Sequence, residues 1–323
     1  MSPQIVTVIP VYNGEPYIIQ TLQSLAKQTV RPSRVIVLDG GSKDNTERTV
    51  KEFQAIKCEW VPEPKRLGAF GSMNHGLEYA AEAQYLQILH ADDWIEPPFY
   101  EVMTRQLENC DGLGMAFSLD ERIDEQNRRL SFSGKVDGKI TELAKDDYLK
   151  HQAGFGNQAF ASSLLKTNFQ KAPCLFRLDL SIVADAVFWA EWASHCQKIV
   201  KVNLPLGKYR WHNANGTSAF APKTECLVQD EWRAMELMEG FRGCGMSPCR
   251  RLRLKAMLAV RAGIKSKRVR QGGNPEQSRE IAQAAKSITG PELFFAAKVL
   301  VELRDLVIYQ IGGRTRHPKN IYG

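Results

Sequence analysis

Two adjacent carboxylates, Asp92 and Asp93, close an apolar run in the stretch Tyr85 to Trp94, which reads Tyr-Leu-Gln-Ile-Leu-His-Ala-Asp-Asp-Trp. Paired acids repel unless a proton or a cation sits between them. A hard divalent ion that brings phosphate ligands of its own resolves that repulsion. So apolar a run is typical of a strand buried on both faces, as in a parallel sheet covered by helices. The carboxyl end of such a strand is where open α/β sheets place ligands. The plainer alternative is that one Asp caps a helix beginning at Pro97 and Pro98. Asp39 is a third acid in the same kind of place, closing the run Arg-Val-Ile-Val-Leu-Asp over residues 34–39. A carboxylate there commonly hydrogen-bonds the ribose or base of a nucleotide. Neither GxGxxG nor GxxxxGK[ST] occurs, so the phosphates of such a nucleotide need another positive charge. A metal on Asp92 and Asp93 supplies it.

The elements that must position these acids follow from the pattern of the chain. Ile5 to Val11 is β-branched and ends in Pro10 and a turn at Asn13-Gly14, which predicts a strand. Glu15 to Gln28 predicts a helix with Pro16 in its first turn and an apolar stripe of Ile18, Ile19, Leu22 and Leu25. After the strand at residues 34–39, Asp44 and Glu47 have the spacing of a capping box. A short strand near Cys58 to Val61, a helix over 70–82, the strand leading to Asp92, a helix from Pro97 to Asn109 and a strand from Leu113 to Leu119 follow. Residues 120–140 read as a polar hairpin or loop. Strands alternating with helices predict a doubly wound, mostly parallel α/β sheet flanked by helices. It fills a first domain, residues 1–223, and residues 224–323 form a basic, mainly helical region.

Charge supports that division. The net charge of +7 is uneven: residues 224–323 hold 18 Lys and Arg against 10 Asp and Glu, and residues 1–223 hold 25 against 26. Within 249–270 there are nine Lys and Arg and no acid, interleaved with Leu252, Leu254, Met257, Leu258, Val260 and Ile264. Such a segment can lie on an anionic membrane surface or form a solvated helical face. Leu293 to Ile311 is interrupted by Lys298, Glu302, Arg304 and Asp305, which suits a packing helix. No window reaches about 18 uninterrupted apolar residues, so no membrane span is expected. The N-terminus lacks a basic region followed by a long apolar run, so no signal peptide is expected. Seven scattered cysteines without a CxxC pair favour reduced thiols and a cytoplasmic location.

Four segments together resemble the family 2 glycosyltransferases of GT-A fold, in particular their polysaccharide-forming branch. They are Val-Ile-Pro-Val-Tyr-Asn-Gly-Glu (8–15), Val-Leu-Asp-Gly-Gly-Ser-Lys-Asp-Asn-Thr (37–46), Gly-Ser-Met-Asn-His-Gly (71–76) and Leu-His-Ala-Asp-Asp (89–93). The resemblance covers roughly the first 215 residues and implies roles. Pro10, Tyr12, Glu15 and Asp39 would hold the nucleoside, with Asp39 on the base. Lys65 or Arg66 would reach the phosphates. Asp92 would contact the ribose or the metal shell, and Asp93 would ligate Mg²⁺ or Mn²⁺. Where many members have Asp-Ala-Asp-Asp, this chain has His90 first; the residue is read as packed under the site. Asn157-Gln-Ala-Phe resembles the strand before the acceptor half. Ala184-Asp185 resembles a Glu-Asp element with the first acid lost. Asp185 is then the base of an inverting transfer, which needs only one; alternatively it caps the helix carrying Phe188, Trp189 and Trp192. The two tryptophans are read as core rather than acceptor platform. Arg210-Trp211 matches the end of the QxxRW motif of processive members, but Gly207 replaces its Gln. His212 opens a loop and is read as a surface residue rather than a metal ligand.

The expected function is metal-dependent transfer of one sugar from a nucleotide-sugar, a UDP-sugar by resemblance, to a glycan or lipid-linked acceptor. The expected location is cytoplasmic, with peripheral contact to an anionic membrane. The alternatives are a sugar nucleotidyltransferase, which should carry a glycine-rich N-terminal signature, or a non-catalytic member of the fold. Nucleic-acid binding through the basic region leaves Asp39, Asp92, Asp93 and Asp185 unexplained and is not expected.

Overall fold

The computed structural model describes residues 3–155, 162–180, 183–212 and 224–311. Two compact units divide the chain. One gathers residues 1–151, 157–178 and 188–212, and the other gathers 152–156, 179–187 and 213–323.

The first unit is built on a sheet. Its opening strands β1 (Ile5–Val11) and β2 (Arg34–Asp39) pair in parallel, with Val11 opposite Asp39. β3 (Glu59–Pro62) adds to β2 and β4 (Tyr85–Ile88) to β1, both in parallel. Every residue of β4 is buried, as its unbroken apolar character requires. Beyond β4 the sheet becomes mixed. β9 (Ser163–Lys166) runs antiparallel between β4 and β6 (Gly114–Ile123), and β10 (Lys198–Arg210) lies parallel to β6. The short β5 (Trp94–Ile95) and β8 (Ile140–Glu142) pair antiparallel with β10, and β7 (Arg129–Phe132) with β6. These pairings bring the carboxyl ends of β1, β2, β4, β6 and β10 to one edge.

Helices α1 (Ile18–Ala26), α2 (Thr46–Glu52), α3 (Gly68–Leu77) and α4 (Phe99–Leu107) belong to this unit. Ile18, Leu22 and Leu25 join the core with Ile5, Ile9, Val35 and Val37, as the stripe predicted, whereas Ile19, expected on the same stripe, is exposed because it lies one residue round the helix from Ile18. Three local expectations change. α1 begins at Ile18 because Gly14 turns first, its carbonyl accepting from Tyr17 and Ile18. The capping box does not form. Asn45 is the N-cap of α2, Glu47 pairs with Lys51, and Asp44 instead accepts from the backbone of Glu15 and Thr46. The strand expected to stop at Leu119 runs on to Ile123. It does so because the Glu121 carboxylate is paired with Lys208 on β10 and Arg129 on β7, so its charge is no barrier to pairing.

α3 lies so close to the sheet that only glycine fits at Gly76. A Cβ there would stand 2.7 Å from Cγ1 of Val8. Overpacking of this kind costs roughly 1–3 kcal/mol, against about 1 kcal/mol gained in helix propensity. Gly76→Ala should therefore lower the midpoint of chemical denaturation, and an unchanged or higher midpoint would show that the helix simply shifts.

The second unit contains α7 (Thr224–Gly240), α8 (Pro248–Gln271), α9 (Pro275–Thr289) and α10 (Pro291–Ile311). Helices α5 (Lys145–Gln152) and α6 (Ala184–His195) come before these four in the chain. Val228, Met235, Leu254, Leu258, Ile281 and Phe294 form the core of the bundle. The basic segment is α8, capped by Ser247 with Pro248 at its start. Its Leu254, Leu258 and Ala262 face inward at a spacing of four residues. Four of its cations are matched by acids: Arg250 with Glu239, Arg251 with Glu236, Arg261 with Glu231 and Lys267 with Glu302. Among the described residues no helix is long and apolar enough to cross a membrane, and the six described cysteines are free thiols.

Candidate active site

The chain leaves β4 at Ile88 and turns through His90 to Asp93, whose amide donates to the His90 carbonyl. The turn directs three potential ligands at one point. One donor atom each from His90, Asp92 and Asp93 all lie within 4.8 Å of one another. Asp93 is buried. Its Oδ1 accepts from the backbone N–H of Arg210, at 2.8 Å, while its Oδ2 has no hydrogen-bond partner. His90 Nδ1 lies 3.5 Å from that oxygen. Burial first, and then the charge of Asp92, push the Asp93 carboxyl up to about 6. Burial also pushes Asp92 up, but the hydrogen bond from His212 and the charges of His90 and His212 outweigh it. Asp92 is thus held below the usual carboxylate range. An orphaned, buried carboxylate oxygen flanked by a second acid and an imidazole fits a divalent cation.

His212 corrects a sequence expectation. It is 9% exposed, and its Nε2 lies 2.8 Å from Asp92 Oδ2. It reaches the acid because β10 ends beside the turn after β4. Arg210 fastens that end. Its guanidinium donates to the Asp92 carbonyl, to Asn127 and to Gln20, and it lies 4.6 Å from the centre of the Tyr17 ring and 5.0 Å from that of Trp94. The matched part of the QxxRW motif therefore acts as a bolt across the acid pair. The rest of that loop, residues 213–218, lies outside the described residues, as does Asn157 to Phe160.

The other expected nucleotide residues lie along the same edge. Asp39 is buried and accepts from the Ser42 amide with both oxygens, at 3.0 and 3.2 Å. Pro10 pairs with Leu38 across β1 and β2. Tyr12 is 40% exposed, and its ring carries the Arg66 guanidinium 3.9 Å from its centre. Lys65 is exposed. Glu15 turns away into a structural bond, accepting from the backbone and side chain of Asn45. Beneath them the buried Glu63 accepts from Ser72 and meets His75 Nδ1 at 3.1 Å.

Sequence reasoning missed Asp120, which it left in a polar loop. Asp120 is buried on β6, and its Oδ1 has no hydrogen-bond partner. Burial pushes its carboxyl up to about 7, with the charge of Asp93 adding to the effect and a hydrogen bond to Ser162 opposing it. Gly207 faces it across the strand pair, and any side chain there would collide with Asp120 and Ser162. The Gln-to-Gly departure at this position thus coincides with a buried acid on the neighbouring strand. Asp185 belongs to the helical unit, in the first turn of α6, where its Oδ1 accepts from the Ala186 amide at 2.6 Å. Trp189 and Trp192 are buried, and Trp192 Nε1 donates to the Gly114 carbonyl.

A sheet that ends in buried acids beside an aromatic and a cation is the architecture of the GT-A glycosyltransferases. Solved structures bear this out for the fold. The chain superimposes on residues 1–349 of S. aureus TarS in complex with UDP-GlcNAc with a TM-score of 0.56 at 15% identity, covering 97% of this chain and 93% of that one. The mannosyltransferase PcManGT from Pyrobaculum calidifontis, in complex with GDP-Man and Mn2+, gives 0.55 at 15% identity, covering 96% and 82%. More particularly, the chain belongs to glycosyl transferase family 2, whose model matches residues 6–167. Among curated relatives, glycosyltransferase GlyG of Streptococcus pneumoniae is 27% identical over 168 residues, half of this chain and 54% of its own length. EpsH of Bacillus subtilis is 26% identical over 223 residues, 65% of this chain and 62% of its own. The matched regions thus span a little over half the length of these relatives.

Proposed function

We propose that this chain is a metal-dependent, inverting glycosyltransferase that moves one sugar from a nucleotide-sugar, a UDP-sugar, to a hydroxyl of a glycan or lipid-linked acceptor. The observation that carries the reading is Asp93, a buried carboxylate with one oxygen fixed by Arg210 and the other unpartnered toward His90 and Asp92. In this reading Pro10, Tyr12 and Asp39 line the place of the nucleoside, and Arg66 leaves the Tyr12 ring to meet phosphate. Asp92 and Asp93 hold Mg²⁺ or Mn²⁺, and His212 steadies Asp92. A bound cation offsets the negative charge that gathers on a departing diphosphate. Asp185 takes the proton of the acceptor hydroxyl, the one base that a single displacement requires. Peripheral contact with an anionic membrane belongs to the reading through Leu252, Phe295 and Leu300, each more than half exposed in the basic helical unit.

Calorimetric binding of UDP, GDP and dTDP, each with and without Mn²⁺, tests the proposal. Metal-dependent binding of UDP is expected. A folded chain that binds none of them would overturn it in favour of a non-catalytic family member, the reading toward which Ala184 and His90 point.

A further inference from the structure

We propose that His90 is itself a ligand of the cation, and that it makes this a site for a first-row transition ion in preference to Mg²⁺. The inference rests on the reading of Asp92 and Asp93 as a cation site, and it decides between the two ions which that reading leaves open.

Geometry comes first. His90 Nδ1 and Asp93 Oδ2 are 3.5 Å apart. Two donors bound to one cation at about 2.0–2.2 Å, at angles between a right angle and the tetrahedral value, lie roughly 2.8–3.6 Å from each other. The pair therefore already has the spacing of neighbouring ligands. Asp92 offers a third donor within the same 4.8 Å cluster. Asp93 Oδ2 is buried without a hydrogen-bond partner, while Oδ1 is fixed by the Arg210 amide. The carboxylate thus cannot turn without losing a bond, and its unpartnered oxygen stays toward His90. Asp92 is steadied by His212 Nε2 at 2.8 Å, the kind of outer partner that orients a ligand and tunes its basicity.

Ligand chemistry then selects the ion. Mg²⁺ demands oxygen donors and gives up its waters reluctantly. Imidazole suits later first-row ions such as Fe²⁺, Ni²⁺ and Zn²⁺, carboxylate suits Mn²⁺ as it does Mg²⁺, and a mixed set of donors favours the ions that accept both over one that demands oxygen alone. With one imidazole and two carboxylates, the site also carries one negative charge fewer than three acids would. That loss weakens a hard ion held by charge alone more than one that bonds to nitrogen. His90 thereby moves the site from Mg²⁺ toward Mn²⁺ and Co²⁺.

The test uses the full chain, stripped of metal and without donor. Mn²⁺ is titrated in and followed by electron spin resonance, then competed with Mg²⁺ and with Co²⁺. Mn²⁺ should bind at least about 30-fold more tightly than Mg²⁺, Co²⁺ should displace it, and His90→Asp should bring Mn²⁺ and Mg²⁺ within about fivefold. Spin-echo modulation from a directly bonded nitrogen should appear with the wild-type chain and with His212→Gln, and vanish in His90→Asp and His90→Gln. Equal affinity for Mg²⁺ and Mn²⁺, or nitrogen modulation that survives both His90 variants, would overturn the inference. Absence of Mn²⁺ binding would remove it together with the cation site. Tight Mn²⁺ binding through nitrogen in a chain that transfers no sugar would leave it standing and remove only the proposed function.

Discussion

Asp93→Asn is expected to lose sugar transfer by at least about a thousandfold, the equivalent of several kcal/mol of lost transition-state stabilisation. The same change should make the metal-free protein more stable. The substitution is nearly isosteric. The Asn oxygen can still accept from the Arg210 amide that now donates to Oδ1, so the end of β10 keeps its anchor. What disappears is a buried negative charge beside a second acid. Because burial and Asp92 raise the folded pKa of Asp93 to about 6, ionising it works against folding. The cost is absent below the ordinary carboxylate range near pH 4, grows between about pH 4 and 6, and is complete above that. Metal-free stability should therefore fall through this group as pH rises from 4 to 7, and Asp93→Asn should flatten that part of the profile. At pH 7.5 the variant should gain on the order of 2 kcal/mol in chemical denaturation. Transfer assays and denaturation at the two pH values check both halves. Full activity would remove Asp93 from the site, and a destabilised variant would mean that its charge is paired in a way the hydrogen bonds do not reveal. Metal affinity should weaken below about pH 6, since a cation must then displace a proton.

Much of this site could be read from the chain because its acids follow apolar strands. β1 and β2 were legible to the residue: β-branched runs buried on both faces end where a turn or a carboxylate begins. Asp39, Asp92 and Asp93 could be assigned to one edge from the strand pattern alone, since parallel strands put their carboxyl ends together. What could not be read depends on distant segments. Arg210 and His212 meet Asp93 and Asp92 across more than a hundred residues, and a histidine two residues past a strand looks like any loop histidine. Asp120 was hidden for another reason. Asp-Glu-Arg-Ile-Asp carries the composition of a solvated loop, yet Glu121 is neutralised by Lys208 and Arg129, each from a different strand. Single-sequence patterning assigns polar residues to solvent, so it misses strands whose charges are satisfied by partners. The capping box failed similarly: Asp44 and Glu47 have the spacing, but the Asp44 carboxylate is taken by the amides of Thr46 and of Glu15, from another loop, and the helix has its N-cap one residue later, at Asn45.

Asp185→Asn separates chemistry from structure. As the general base, Asp185 should account for a rate factor of about 10²–10⁴, so kcat should fall by that much while donor affinity stays within about threefold. The structure gives this test its force. Asp185 is half-buried in the first turn of α6, and its Oδ1 accepts from the Ala186 amide. Asn retains an oxygen for that bond, and it is as good a helix-start residue as Asp apart from the charge. A capping role would survive the change with a modest loss of stability and near-normal turnover. A base would not, because the amide cannot take a proton from the acceptor hydroxyl. Donor affinity measured by calorimetry, alongside kcat from product release, distinguishes the two. Loss of donor binding and turnover together would mark Asp185 as a residue that holds the fold, and the base would then have to be sought among the other acids. Asp120 is the first to examine, because it is buried within the field of Asp93 and raised to about 7, where a carboxyl can still exchange a proton near neutrality.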